Sequence, residues 1–319
     1  MAINTVPYSL SGKRVWVAGH RGMVGSAIAR RLEAEECELL TVSHAELDLK
    51  RQADVEAWVA DVRPAAIFMA AATVGGIYAN DTRPADFLYD NLMIESHVIE
   101  AAYRAGVEKL AFLGSACIYP REAAQPMAED ALLSGPLEPT NEWYAVAKIA
   151  GIKLCQAYRR QYGCDFFSAM PNNLYGPGDN FDLTSSHVVP ALIRKIHEAK
   201  ESGAETVEIW GSGTPLREFL YVEDCADAIV FLMKRYSGES HVNIGSGEEL
   251  SIGDLAKSIA NAVGFTGSFR FDAEKPDGVP RKLLNVDMLQ EMGWGARTSL
   301  QEGLALTYAW YLAENKRRA

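Results

Sequence analysis

Short apolar runs alternate with stretches of helical period through the first half of the chain. Arg14–Ala18, Glu38–Val42, Ala66–Met69, Leu110–Leu113 and Phe166–Met170 read as strands, each a brief, mostly apolar run between polar or turn-forming neighbours. Between them Val24–Glu35, Asn91–Ala105 and Tyr144–Tyr162 carry the apolar spacing of helices. This alternation predicts βαβ units, hence an α/β fold with a doubly wound parallel sheet. The second half is less regular, with a helix at Val188–Ala199, strands at Val207–Trp210 and Val242–Ile244, and helices at Ile252–Val263 and Leu300–Asn315. Proline and glycine cluster at 171–178, 211–215 and 276–280, which marks loops. The expected organisation is a nucleotide-binding domain over residues 1–175 and a smaller α/β substrate domain over residues 176–319. The chain is expected to cross back partly to the first domain.

Composition narrows the function classes. A net charge of −11 opposes a nucleic-acid or anionic-membrane surface. No apolar run approaches the roughly 20 residues of a membrane helix, and MAINTVPYSL lacks the basic-then-apolar pattern of a secretory signal. The five cysteines are odd in number, with no C-x-x-C and no metal-ligand spacing, so reduced thiols, a cytoplasmic location and no metal are expected. Apolar residues on more than one side of Asn91–Ala105 and Tyr144–Tyr162 predict a homodimer joined by paired helices.

The run Val15-Trp-Val-Ala18 leads into Gly19-His-Arg-Gly22-Met-Val-Gly25 and then a helix. Glycines at these places permit a tight turn and close backbone approach to a pyrophosphate, which the helix N-terminus attracts. A lone glycine triplet is weak evidence, but strand before and helix after supply the context of a Rossmann-type dinucleotide site. The second strand ends Leu39-Leu-Thr-Val42-Ser43-His44, without the carboxylate that NAD enzymes place on a ribose 2′-hydroxyl. Arg21 can meet a 2′-phosphate, with Ser43 and His44 as donors, so NADP(H) is favoured even though Glu46 and Asp48 follow closely.

Tyr144 and Lys148 are four apart at the start of a helix and share a face. An ammonium beside a phenol is expected to lower its pKa, fitting the tyrosine to exchange a proton with a carbonyl oxygen. Ser115, at the tip of an earlier strand, can hydrogen-bond the same carbonyl. Cys117 lies two residues on, which in a strand is the same face. Its bland reading is a packed core thiol, yet thiols near 8.5 and imidazoles near 6.5 both exchange protons around neutrality. Of the six histidines, His97 and His197 fall in helices, His241 opens a strand and His20 shapes the glycine loop. His187 follows the Pro-Gly loop just before a helix. Trp210 at a strand end is commonly core, and Arg217 beside Glu218 can be a simple ion pair. The intervening Gly-Ser-Gly-Thr-Pro-Leu loop instead suits an aromatic plane and a cation gripping a nucleotide. Cys37, Cys155, Cys164 and Cys225 read as packing residues.

With these motifs on the page, the chain resembles the extended short-chain dehydrogenase/reductase family. Val74-Gly-Gly-Ile77, Gly114-Ser-Ala-Cys-Ile-Tyr-Pro120, Asn141-Glu-Trp-Tyr-Ala-Val-Ala-Lys148, Pro171-Asn-Asn-Leu-Tyr-Gly-Pro177, Trp210-Gly-Ser-Gly-Thr-Pro-Leu-Arg-Glu-Phe219 and Lys275-Pro-Asp-Gly278 resemble its members that epimerise and reduce GDP-4-keto-6-deoxy sugars. The resemblance implies Ser115, Tyr144 and Lys148 as a reductase triad, and Cys117 with His187 as the acid/base pair of a C3/C5 epimerisation. It implies NADP(H) contacts at Gly19, His20, Arg21, Gly22, Met23, Val24 and Gly25, and at His44, Ala45, Glu46, Leu47, Asp48 and Leu49. Further contacts are implied at Leu113, Gly114, Ser115, Ala116, Lys148, Pro171, Asn172, Asn173, Leu174 and His187. Lys195, Trp210, Arg217 and Asp277 are implied to bind the GDP-sugar. His44 and Lys195 stand where the family pattern has arginine. The rival readings are a related GDP-sugar epimerase/reductase using a 3-deoxy substrate, and a dinucleotide sensor without catalysis.

Overall fold

A computed structural model describes residues 5–183, 185–275 and 277–318. Pro276 of the Lys275–Gly278 motif therefore lies outside the described residues. In chain order the first half forms β1 (Arg14–Ala18), α1 (Met23–Leu32), β2 (Glu38–Leu40), α2 (Gln52–Val62), β3 (Ala66–Met69), α3 (Ile77–Thr82), α4 (Pro84–Arg104), β4 (Lys109–Leu113), α5 (Glu142–Tyr162) and β5 (Asp165–Pro171). The second half forms β6 (Asn173–Tyr175), α6 (Val188–Ser202), β7 (Thr206–Trp210), β8 (Leu216–Tyr221), α7 (Val222–Arg235), β9 (Val242–Ile244) and β10 (Glu249–Ser251). It ends with α8 (Ile252–Val263), β11 (Ser268–Asp272), β12 (Arg281–Lys282), α9 (Asp287–Glu291) and α10 (Leu300–Arg318).

Six parallel strands lie in the order β2-β1-β3-β4-β5-β9. The inner strands are buried on both faces, which is why β3 and β4 read as continuous apolar runs. One face packs α1 and α7 through Ile28, Leu32, Cys225 and Ile229, and the other packs α2, α4 and α5 through Val59, Val98 and Ile152. The chain places β2 on one side of β1 and then crosses to set β3 on the other. Ligands bind where such a sheet reverses, beyond the carboxyl ends of the strands.

After β5 the chain builds a second body. Helices α6, α8 and α10 pack around Leu192, Ile196, Ile259 and Leu304, beside β8 with its neighbours β10, β12 and β6, and the pair β7–β11. The segment is not contiguous, since α7 returns to the first face and β9 adds the sixth strand to the large sheet. Glu218 joins the two bodies. It is fully buried and accepts bonds from the Gly247 amide (2.7 Å), the Leu284 amide (3.1 Å) and Asn172 Nδ2. This is also why Glu218 forms no ion pair with Arg217. Among the described residues no helix is long and apolar enough to cross a membrane.

Candidate active site

The cleft begins at the tip of β1. Gly19 has φ +87°, and a Cβ there would lie 2.7 Å from the Ala71 amide nitrogen just beyond β3. A Cβ on Gly25 would lie 2.1 Å from the Gly19 carbonyl oxygen. Only glycine fits either place, and together they seat α1 tightly on the loop. Gly22 is different. It caps α1 without a side-chain bond, and the first turn carries no acidic residue. The free amides at this helix start are therefore open to an anion, and the loop fits a dinucleotide pyrophosphate.

At the adenosine end β2 stops at Leu40, two residues before its expected end. Ser43 then folds inward. Its hydroxyl and amide both donate to Glu46 Oε2, at 2.6 and 3.0 Å, and these bonds hold the Glu46 carboxyl below its ordinary pKa. The Ser43 hydroxyl expected to meet a 2′-phosphate thus already donates to Glu46. Arg21, His44 and Ala45 are exposed, Leu47 packs into the core, Asp48 accepts from the Lys50 amide, and the Leu49 carbonyl meets His97 Nδ1 at 3.1 Å.

The residues expected to form the reactive centre lie past β4. That strand ends at Leu113, and Ser115 caps a single 3₁₀ turn, Ala116–Ile118, its Oγ accepting from the Cys117 amide at 3.5 Å. The same-face strand argument for Ser115 and Cys117 is therefore replaced by a capped turn that buries the thiol. Burial raises the Cys117 pKa, opposed by Lys282, the Ser115 hydroxyl and Lys148.

Tyr144 lies in the first turn of α5 with Lys148 one turn on. The Lys148 ammonium sits 5.8 Å from the Tyr144 ring centre and 4.7 Å from that of Phe112. Its counter-ion is Glu95 of α4, Nζ to Oε1 2.9 Å, with both side chains 2% exposed. The expected fall in the Tyr144 pKa is corrected. Burial pushes the phenol well above its ordinary value, and the Cys117 and Glu95 charges add to the rise. The ammonium that was expected to lower it is paired with Glu95 and does not outweigh the burial.

His187 caps α6 without a side-chain bond and is exposed. Crowding by protein and the Lys282 charge lower its pKa. Lys282 is the residue that sequence reasoning missed. It lies on β12 in register with Arg217 of β8, its ammonium forms no side-chain hydrogen bond or ion pair among the described residues, and it acts electrostatically on both Cys117 and His187. The available signal was a lysine entering the apolar pair Leu283-Leu284 directly after a Pro-Gly loop.

At the far end Trp210 is 61% exposed, not core, and the ammonium groups of Lys195 and Lys275 lie 4.9 and 5.5 Å from its ring centre. Asp277 Oδ1 accepts from the Ser212 amide at 2.9 Å and fixes the turn after Trp210. A Cβ on Gly278 would sit 2.8 Å from an Arg217 nitrogen. Lys195, Trp210, Arg217 and Asp277 are thus brought to one rim. Pro171 ends β5, and the next amides are engaged, Asn173 Nδ2 donating to the Glu218 carbonyl (2.9 Å) and to Asn172 Oδ1 (3.1 Å). His197 is bonded to Tyr308 and His241 to Tyr119, each at 2.9 Å, so both are structural.

The comparisons agree with this geometry. The chain is 62% identical to a GDP-L-fucose synthase of Sinorhizobium fredii, over 96% of this chain and 98% of that one. It is 53% identical to a GDP-L-fucose synthase of Escherichia coli, over 97% and 99% of the two chains. A solved GDP-L-fucose synthetase of Naegleria fowleri, bound to NADP, superposes with a TM-score of 0.92 at 28% identity, covering 99% of this chain and 98% of that one. Residues 15–245 match the model of the NAD dependent epimerase/dehydratase family. With a glycine loop at the sheet reversal and Tyr144 and Lys148 facing the end of β4, the chain belongs to the NAD dependent epimerase/dehydratase family.

Proposed function

We propose that the protein is a bifunctional, NADPH-dependent 3,5-epimerase and 4-reductase converting GDP-4-keto-6-deoxy-D-mannose to GDP-L-fucose. The observation that carries this reading is electrostatic proximity: Lys282 acts on both Cys117 and His187, and Cys117 in turn acts on Tyr144, beside Ser115 and Lys148. We read Cys117 and His187 as a proton-exchanging pair and Ser115, Tyr144 and Lys148 as a reductase set. The identity to GDP-L-fucose synthases supports the substrate. Residues 1–175, with α7 and β9 returning to them, hold the dinucleotide, and the remainder holds the nucleotide sugar.

In this reading Trp210 stacks on the guanine, while Arg217 and Lys195 neutralise the diphosphate. The C4 carbonyl acidifies the protons at C3 and C5. Cys117 and His187 act in turn as acid and base, one removing a proton and the other returning it on the opposite face of the enolate. Bound NADPH supplies the hydride for C4. Ser115 hydrogen-bonds the C4 oxygen, and Tyr144, held protonated by its burial, donates the proton that neutralises it. Arg21 and His44 grip the 2′-phosphate.

The protein works in the cytoplasm as a homodimer. Tyr89 of α4 with Trp143 and Val146 of α5 remain exposed and form the contact face. A mass near the single-chain 34.9 kDa by light scattering would overturn the dimer. The function is tested by supplying GDP-4-keto-6-deoxy-D-mannose with NADPH and determining the product's stereochemistry by NMR. GDP-L-fucose is expected. A GDP-6-deoxy sugar that kept its C3 and C5 configuration would overturn the epimerase half.

A further inference from the structure

The pair between α4 and α5 has a cost that packing alone does not require. Glu95 and Lys148 are sealed between the helices, and neither carboxylate oxygen has another hydrogen-bond donor among the described residues. Gly151, one turn beyond Lys148, is the clearance that lets the carboxylate in. A Cβ there would lie 2.8 Å from Glu95 Oε2 and 2.3 Å from the Phe112 ring. The same Phe112 ring closes over the ammonium at 4.7 Å. An apolar side chain would fill the place of Glu95 without desolvating a charge. A carboxylate there is explained by what it faces.

An ammonium buried without a counter-ion tends to shed its proton. The other titratable groups around the pair are Tyr144 and Cys155 on α5 and Cys117 after β4, and burial holds all three in their neutral, protonated forms. None can replace Glu95 as counter-charge. We propose that Glu95 is a positioning residue for hydride transfer, holding Lys148 as a charged, oriented ammonium beneath Tyr144. This rests on the reading of Tyr144 and Lys148 as the reductase pair. When Tyr144 gives its proton to the C4 oxygen, the tyrosinate left behind in a dry site needs that positive charge. Glu95 touches neither substrate nor cofactor and acts through Lys148.

The test is Glu95→Gln, which keeps the shape and removes the charge. Two readouts are needed, single-turnover hydride transfer against pH and ¹³C NMR titration of lysine Cε resonances, with Lys148→Met identifying the Lys148 signal. In Glu95→Gln the Lys148 signal titrates at lower pH than in the parent. Hydride transfer gains an alkaline limb, falling about tenfold for each pH unit above its inflection. Glu95→Asp, one methylene short, moves both readouts part-way and serves if the glutamine variant does not fold. A parental profile in either folded variant, or a uniform loss at every pH with the Lys148 signal unmoved, overturns the proposal. Lys148→Met and Tyr144→Phe run in parallel. If they transfer hydride at the parental rate, the reductase reading fails, while the NMR titration still judges Glu95.

Discussion

Replacing Cys117 by serine separates the two half-reactions. The change keeps the 3₁₀ turn, because the bond to Ser115 Oγ comes from the Cys117 backbone amide. A buried hydroxyl in place of the thiol costs about 1–3 kcal/mol if unpaired, within the roughly 5–15 kcal/mol stability of a folded domain. The chemical loss is larger. Removing one positioned acid/base group costs about 10²–10⁴ in rate. Burial raises the Cys117 pKa, so the thiolate is a minor species in the parent and the parent rate already carries that penalty. The expected loss is therefore toward the lower end, about 10²–10³, or roughly 3–4 kcal/mol of barrier. The assay places the keto sugar in deuterium oxide without NADPH and follows label entering C3 and C5 by NMR. NADPH affinity, measured separately, stays at the parental value. Label entering Cys117→Ser reactions at the parental rate would refute the reasoning and leave Cys117 a packing thiol.

Two further substitutions probe the charges. Arg21→Ala removes the exposed cation beside the glycine loop and should weaken NADPH about 10- to 100-fold, the worth of a charge-assisted hydrogen bond, while NADH changes little; equal losses for both cofactors would sink the NADP assignment. Lys282 lowers the pKa of both Cys117 and His187, so Lys282→Met raises both and the whole pH–rate profile of deuterium exchange moves to higher pH. A profile that stays in place means that Lys282 does not act on the pair.

The parallel sheet was readable because its strands are short, apolar and separated by helices of clear period. Val242–Ile244 and Ile252–Val263 match their observed bounds. The early end of β2 was not readable, since the Ser43–Glu46 turn that stops it is held by side-chain bonds, and β-rich Thr41-Val42 looks like more strand. β8 and α7 were missed for a related reason. Their residues are contiguous in sequence and mostly buried, so no polar interval marks where strand gives way to helix. β11 is largely exposed, with polar Ser268, Arg270 and Asp272 alternating with its two phenylalanines; its place comes from pairing with β7.

The site divides along another line. Placements that depend on local spacing, such as those of Gly19, Gly25, Tyr144 and Lys148, were legible. Charges set by tertiary neighbours were not. Spacing put Lys148 beside Tyr144 and predicted a lowered phenol pKa, but burial of the phenol reverses the sign, and Glu95, from a helix about fifty residues earlier in the chain, adds to the rise. Lys282 likewise lies far along the sequence from both Cys117 and His187. In the proposed mechanism these charges also bear on the order of the two reactions. Cys117 and Tyr144 each raise the cost of ionising when the other is anionic, as the Cys117 contribution at Tyr144 requires. A thiolate formed during epimerisation therefore holds Tyr144 protonated, and proton donation from Tyr144 becomes easier once Cys117 has its proton back. Epimerisation is thereby favoured to finish before reduction. Serine at position 117 never becomes an anion, so it lifts this restraint on Tyr144 while removing the proton exchange, and for that reason Cys117→Ser should still reduce the unepimerised ketone.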